Sequence, residues 1–137
     1  MDWNSCLRRR EAKRIKADEE MALSLERTSA HKAISSQLLE LREETTAAKI
    51  SLSYDAVREL LEAIALRNGF KIYNHVCYTS FLKEICKESD FGREFDELRV
   101  IRNDINYYGK AISIIESKQV LERLNKLRSQ LLLFVTK

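Results

Sequence analysis

Residues 102 to 109 read Arg-Asn-Asp-Ile-Asn-Tyr-Tyr-Gly, a run of polar groups set in a stretch that otherwise carries apolar residues at helical spacing. Arg102 and Asn106 are one helical turn apart, and so are Asn103 and Tyr107, so these four side chains can line a groove at the end of a helix. A guanidinium offers a phosphate two parallel charge-assisted bonds, amides add directional donors and acceptors, and the phenols of Tyr107 and Tyr108 offer faces on which a base can stack. The competing reading is structural, with Arg102 and Asp104 satisfying charges and helix ends at a packed seam. Other chemistries are not indicated. The chain has no glycine-rich phosphate loop, no HExxH and no GxSxG. Its two histidines, His31 and His75, fall on separate predicted helices, and neither has a cysteine or carboxylate at metal-ligand spacing. Each reads most simply as a surface or structural histidine, and no metal or cofactor is implied.

The elements that must position this segment are helical. Of 137 residues, 45% are apolar and 33% charged, with three glycines and no proline, a composition at odds with a sandwich that turns about every 10 residues. The length suits one hydrophobic core and needs no metal or disulfide to stabilise it. Five helices are predicted. The first runs from about Ala17 to Glu44, with a break near Thr28 to Ala30 and Met21, Leu25, Ile34, Leu38 and Leu41 on its inner side. The second runs from Thr45 or Thr46 to Asn68, with Leu52, Ala56, Val57, Leu60, Leu61 and Ile64 inward. The third spans Tyr73 to Lys87 and buries Val76, Cys77, Phe81, Leu82 and Ile85. The fourth, Gly92 to Tyr108, carries Phe95, Leu98, Ile101, Ile105 and Tyr108 at steps of three and four. The last, Ser113 to Phe134, turns Ile114, Leu121, Leu124, Leu127 and Leu131 inward. Gly69, Gly92 and Gly109 each read as a helix boundary. The expected fold class is all-α, an up-down bundle of four to five helices over residues 17 to 137 with short connections, preceded by a basic arm over residues 1 to 16.

That arm holds most of the charge. Residues 1 to 16 carry six basic side chains (Arg8, Arg9, Arg10, Lys13, Arg14 and Lys16) against Asp2 and Glu11, whereas the whole chain is +3, so the remainder sums to minus one. Arg8, Arg9 and Arg10 are candidate phosphate contacts on RNA or DNA, with binding that weakens as salt rises. A solvated first turn, or an arm packed on a partner's acidic face, explains the same charge equally well. Trp3 suits either a base stack or an anchor for the arm. The longest apolar run, Leu131 to Val135, is far shorter than a membrane span, and no apolar stretch follows the basic N-terminus, so a cytoplasmic protein is expected. Cys6, Cys77 and Cys86 are odd in number and form no CxxC pair, so neither a disulfide framework nor a zinc ribbon is expected, and Cys77 and Cys86 read as small core residues.

The run Leu98-Arg99-Val100-Ile101-Arg102-Asn103-Asp104-Ile105-Asn106 resembles the signature of the HEPN family (higher eukaryotes and prokaryotes nucleotide-binding domain), in which an arginine, usually followed by asparagine, precedes a histidine late in a bundle helix. The stretch Ala56 to Leu66, then Gly69 to His75, then Phe81 and Leu82, is similar to the helix, turn and helix of archaeal and bacterial members. Asp2, Trp3, Cys6, Arg9 and Arg10 look like the N-terminal arm of one archaeal group. The resemblance thus spans nearly the whole chain, with the Arg-Asn segment as its specific part. It implies a homodimer that joins two motif helices in a cleft, an RNA ligand, and in many members a metal-independent ribonuclease toxin paired with a nucleotidyltransferase antitoxin. Carried over, Arg102 is the phosphate-holding arginine and Asn103 its polar neighbour. The histidine is missing: with four residues intervening the position is Tyr107, and with five it is Tyr108. An ordinary phenol, with a pKa of about 10, is a poor proton acceptor at neutral pH beside an imidazole of about 6.5. General acid-base assistance is worth roughly a hundredfold to ten-thousandfold, so the expectation is weak or lost ribonuclease activity, with Arg102 and Tyr107 as the degenerate catalytic pair. His75 is a second candidate for the missing role, at a distance the sequence does not give.

Overall fold

The computed structural model describes residues 1–135, and side chains through residue 134. The chain is mostly helical. In order it forms α1 (Trp3–Arg8), β1 (Ala12–Arg14), α2 (Glu19–Leu38), α3 (Thr46–Arg67), β2 (Phe70–Ile72), α4 (Val76–Ser80), α5 (Ser89–Tyr108) and α6 (Ile114–Val135). No helix among the described residues is long and apolar enough to cross a membrane.

Helix α3 is the axis of the core. Its Ile50, Tyr54, Val57, Leu60, Leu61 and Ile64 are all buried, and they meet Phe95, Leu98 and Ile105 of α5 and Leu121, Leu124, Leu127 and Leu131 of α6. The spacing of three and four in these runs is the stripe that a helix buries. Two glycines end helices as their left-handed angles require: Gly69 (φ +81°) follows α3 and Gly109 (φ +62°) closes α5, where its amide bonds the Asp104 carbonyl. Gly92 does not mark a boundary. It lies inside α5, which starts at Ser89, and a Cβ there would stand 3.1 Å from the Thr79 carbonyl, so glycine lets α5 press against α4.

Helix α2 departs most from the expected pattern. It is one unbroken helix that stops at Leu38, six residues short of Glu44, and its buried residues are Ala22, Ser29 and Ser36, spaced by seven. Met21, Ile34 and Leu38, expected inward, are 46%, 52% and 80% exposed, while Leu25 and Leu41 are half-buried. The small residues win because they allow the α2 and α3 backbones to approach closely and put hydroxyls within reach of α3. Ser29 Oγ donates to the Ala56 carbonyl at 2.6 Å, and Ser36 Oγ to the Lys49 carbonyl at 3.0 Å. Lys49 fixes the end of α2, its buried ammonium donating to the carbonyls of Ser36 and, at 2.6 Å, Leu39. A cation on the last carbonyls of a helix both caps them and complements the dipole.

The segment predicted as one helix from Tyr73 to Lys87 is three pieces: a turn at Tyr73 to His75, the short α4, and a π-helical turn over Phe81–Ile85. Ile85 is exposed, not inward. The N-terminal sixteen residues are part of the packed body. Trp3, Cys6 and Ala12 are buried, the Trp3 ring meets Phe70 edge-on at 5.1 Å and Phe81 at 5.6 Å, and β1 pairs antiparallel with β2 through Ala12 and Ile72, Lys13 and Lys71, Arg14 and Phe70. Cys6 and Cys77 are joined as a disulfide (Cα to Cα 6.1 Å), which corrects the expectation of unpaired core cysteines. An odd count forbids pairing of every cysteine, not of one pair, and the contact exists because α1 docks beside α4 across 71 residues of sequence. Cys86 remains free, half-buried, with its thiol pushed up to about 11 by burial.

Candidate functional site: an arginine cleft between α5 and the turn before α4

The last two turns of α5 face the N-terminal half of α3. Leu98 and Ile105 anchor the helix in the core, and this phase places Arg102 at the edge of the buried face, its side chain 14% exposed. The guanidinium is held over two aromatic rings, Tyr54 at 4.9 Å and Tyr107 at 5.5 Å. Contacts of this kind fix a cation without neutralising it. Its Nη1 donates at 3.3 Å to both Asn103 Oδ1 and Tyr107 Oη, which are long bonds, and its nearest carboxylate, Asp55, stands 3.8 Å away. Nε is buried with no partner. Arg102 is therefore pre-positioned yet under-satisfied, unlike Arg67 and Arg123, each bound by two glutamates.

Arg102 opens into a cleft of about 330 Å³ lined by Tyr73, Asn74, His75, Arg99, Asn103 and Tyr107 as well. His75 enters from the turn before α4. Its Nδ1 is 2.9 Å from Tyr54 Oη, a hydrogen bond that either imidazole tautomer can make. Tyr54 is fixed in turn by stacking on Phe95, with ring centres 5.5 Å apart. Burial lowers the pKa of His75 to about 4, and the positive charges of Arg58 and Arg102 push in the same direction against the weaker opposing effect of Asp55, so the imidazole is neutral at pH 7. Burial pushes the Tyr54 phenol up, so it stays protonated over the same range. The cleft thus presents a partly free guanidinium, a neutral imidazole, amides and exposed phenol rings (Tyr73 and Tyr107). That set suits an anion carrying an aromatic group.

Of the residues predicted for the site, Arg102, Asn103 and Tyr107 come together here. Asn106 does not join them. It turns to α3, where its Nδ2 donates to Ser51 Oγ at 2.9 Å. Tyr108 is exposed at the helix end and lines no part of the cleft, and Arg8, Arg9 and Arg10 are exposed in and after α1 without lining it. Arg10 adopts the left-handed conformation (φ +58°) at the turn towards β1. Tyr54, Asp55, Arg99, Tyr73 and Asn74 were not predicted. Arg99 lies three residues before Arg102, a spacing that marks it as a neighbour, but nothing in the sequence pairs Tyr54 with a residue on another helix. Compared with known proteins, the chain matches no family model, no curated protein and no solved structure.

Proposed function

We propose that the chain is a HEPN-type bundle that binds single-stranded RNA or a related nucleotide through the Arg102 cleft, as a homodimer, with weak or lost ribonuclease activity. The observation that carries this reading is the state of Arg102: clamped over Tyr54 and Tyr107, with an unpaired Nε and its closest carboxylate beyond hydrogen-bond distance, at an open cleft. A phosphate in the cleft would take charge-assisted bonds from the Nη atoms of the guanidinium, and Tyr107 and Tyr73 supply the stacking faces that single-strand binding uses. A nucleotidyltransferase partner, which the HEPN resemblance implies, belongs to the same proposal. The test is titration of a labelled oligouridylate over a salt series. Saturable binding that weakens with salt is expected, with a loss of about tenfold or more in Arg102→Gln. Absence of saturable binding at low salt overturns the reading and leaves a structural role for the polar segment.

His75 favours a second reading, an active metal-independent ribonuclease, because it brings an imidazole into the cleft from which the motif histidine is missing. Cleavage of the same RNA in chelator, abolished by Arg102→Ala and by His75→Ala, would support it. Under the first reading cleavage is slow or absent, and Tyr107→His raises it.

A further inference from the structure

We propose that His75 is a ligand-binding group of the cleft that takes up a proton when a phosphate enters, so that anion binding and imidazolium formation are coupled. This rests on the reading of the cleft as an anion site and goes beyond it by assigning a role to a half-buried titratable group that lies on a different element from Arg102.

The charges around His75 define the coupling. From α3 come Tyr54, hydrogen-bonded to Nδ1, Asp55 and Arg58; from α5 come Arg99 and Arg102; the Tyr78 ring of α4 lies tilted nearby, with ring centres 6.0 Å apart, and Tyr107 lines the same cleft. Arg58 is bonded to Glu62 at 2.8 Å and Arg99 to Asp96 at 2.9 Å, so each has a local counter-charge. Arg102 has none within hydrogen-bond distance. An imidazolium at His75 therefore faces Arg58 and Arg102, the latter with Asp55 only at 3.8 Å, and burial penalises it further. An anion seated on Arg102 reverses the sign of that interaction. It cancels the repulsion and gives the new imidazolium a counter-ion. The hydrogen-bond inventory also allows the change: both nitrogens of the charged ring donate, Nδ1–H to Tyr54 Oη, which is already 2.9 Å away, and Nε2–H to an oxygen of the bound phosphate. Only the proton gained from solvent is added, and no covalent bond changes.

Linkage fixes the direction. If the anion raises the proton affinity of His75, protonation must raise the anion affinity by the same factor, tenfold for each pKa unit. Affinity then grows as pH falls through the bound-state value and levels off below the free value of about 4. The ligand class is a phosphodiester or phosphomonoester adjoining an aromatic base.

The chain has only two histidines, so the ring Cε1–H resonances can be followed individually by NMR, with His31, on α2, as an internal reference. The probe is a short oligouridylate, whose phosphodiesters keep their charge between pH 4 and 8. Saturation with it should move the His75 midpoint up by about two units, and binding should then be about tenfold tighter at pH 5 than at pH 7.5. His75→Gln should remove that gain at low pH, and His31→Gln should retain it. An unchanged His75 midpoint while the Arg102 Nε–H signal shifts on binding would overturn the coupling and leave the anion site standing. No saturable binding at either pH would overturn the anion site itself, and the coupling with it.

Discussion

The two sides of α3 are built from different materials. Towards α2 the buried contacts are mostly small or polar: Ala22, Ser29 and Ser36 against Lys49, Ser53, Ala56 and Ala63, with Leu66 at one end and the Ser36 and Ser53 hydroxyls 2.8 Å apart. Glu59 is buried on the same side, accepting from Thr28 and from the Lys32 ammonium at 2.7 Å. Towards α4 and α5 the contacts are aromatic, with Phe95 in ring contact with both Tyr54 and Tyr78 and Trp3, Phe70 and Phe81 beyond them. The first side gains its stability from close approach and satisfied hydroxyls. The second is packed from large flat rings that cannot fill every corner, and the cleft with Arg102 and His75 opens at its edge. One helix thus separates a close-packed seam from the face beside the Arg102 cleft.

Removing a ring from the aromatic side should have the largest effect. Phe95→Ala, at a fully buried site, is expected to cost about 3 to 5 kcal/mol in urea unfolding, and it should also loosen the Tyr54–His75 hydrogen bond, because Tyr54 loses its stacking partner. A loss confined to stability, with the His75 resonances unmoved, would show that Tyr54 is held by something else. On the small-residue side the informative change is enlargement. Ser36→Leu should cost roughly 1 to 3 kcal/mol through overpacking, whereas a leucine accepted without cost would mean that the α2–α3 seam is loose.

The pH dependence sharpens the contrast, since His75 sits on one side only. Its folded pKa, about 4, lies below the unfolded value of about 6.5, so between these values the unfolded chain binds more protons and stability falls as pH is lowered. Discounted for the half-exposed ring, the loss between pH 7 and pH 4 should be roughly 1 to 2 kcal/mol. It should be smaller by that amount in His75→Gln, as read from urea midpoints at the two pH values. The smallest effect belongs to the outer face of α2: Leu38→Ser, at a position 80% exposed, should change stability by less than about half a kcal/mol. A larger loss would mean that this face is covered in solution.

Helix α2 also shows where periodicity misleads. Met21, Ile34 and Leu38 look like an inward stripe on hydrophobicity alone, yet the seam selects for size, and Ser29 and Ser36 carry no apolar signal at all. Helices α5 and α6 were legible because their partners are large: Phe95, Leu98 and Ile105, and Leu121, Leu124, Leu127 and Leu131, are buried as their spacing indicates. The stripe runs out at the ends, where Tyr108 and Ile114 are exposed. In the site, Arg102, Asn103 and Tyr107 are readable as a group because one helix turn joins them, whereas the same spacing includes Asn106, which only its bond to Ser51 of α3 removes from the cleft.

By itself the sequence determined that the chain is helical, where α3 and α5 end, and that one arginine would emerge at the border of a buried stripe, since all of these follow from local spacing and backbone preference. Only the tertiary structure decided which face of α2 is inside, that residues 1 to 16 pack against the core with Cys6 bonded to Cys77, and that His75 and Tyr54 meet Arg102. Those outcomes depend on contacts between residues far apart in the chain, and their energies come from shape and from shared burial, neither of which a linear pattern encodes.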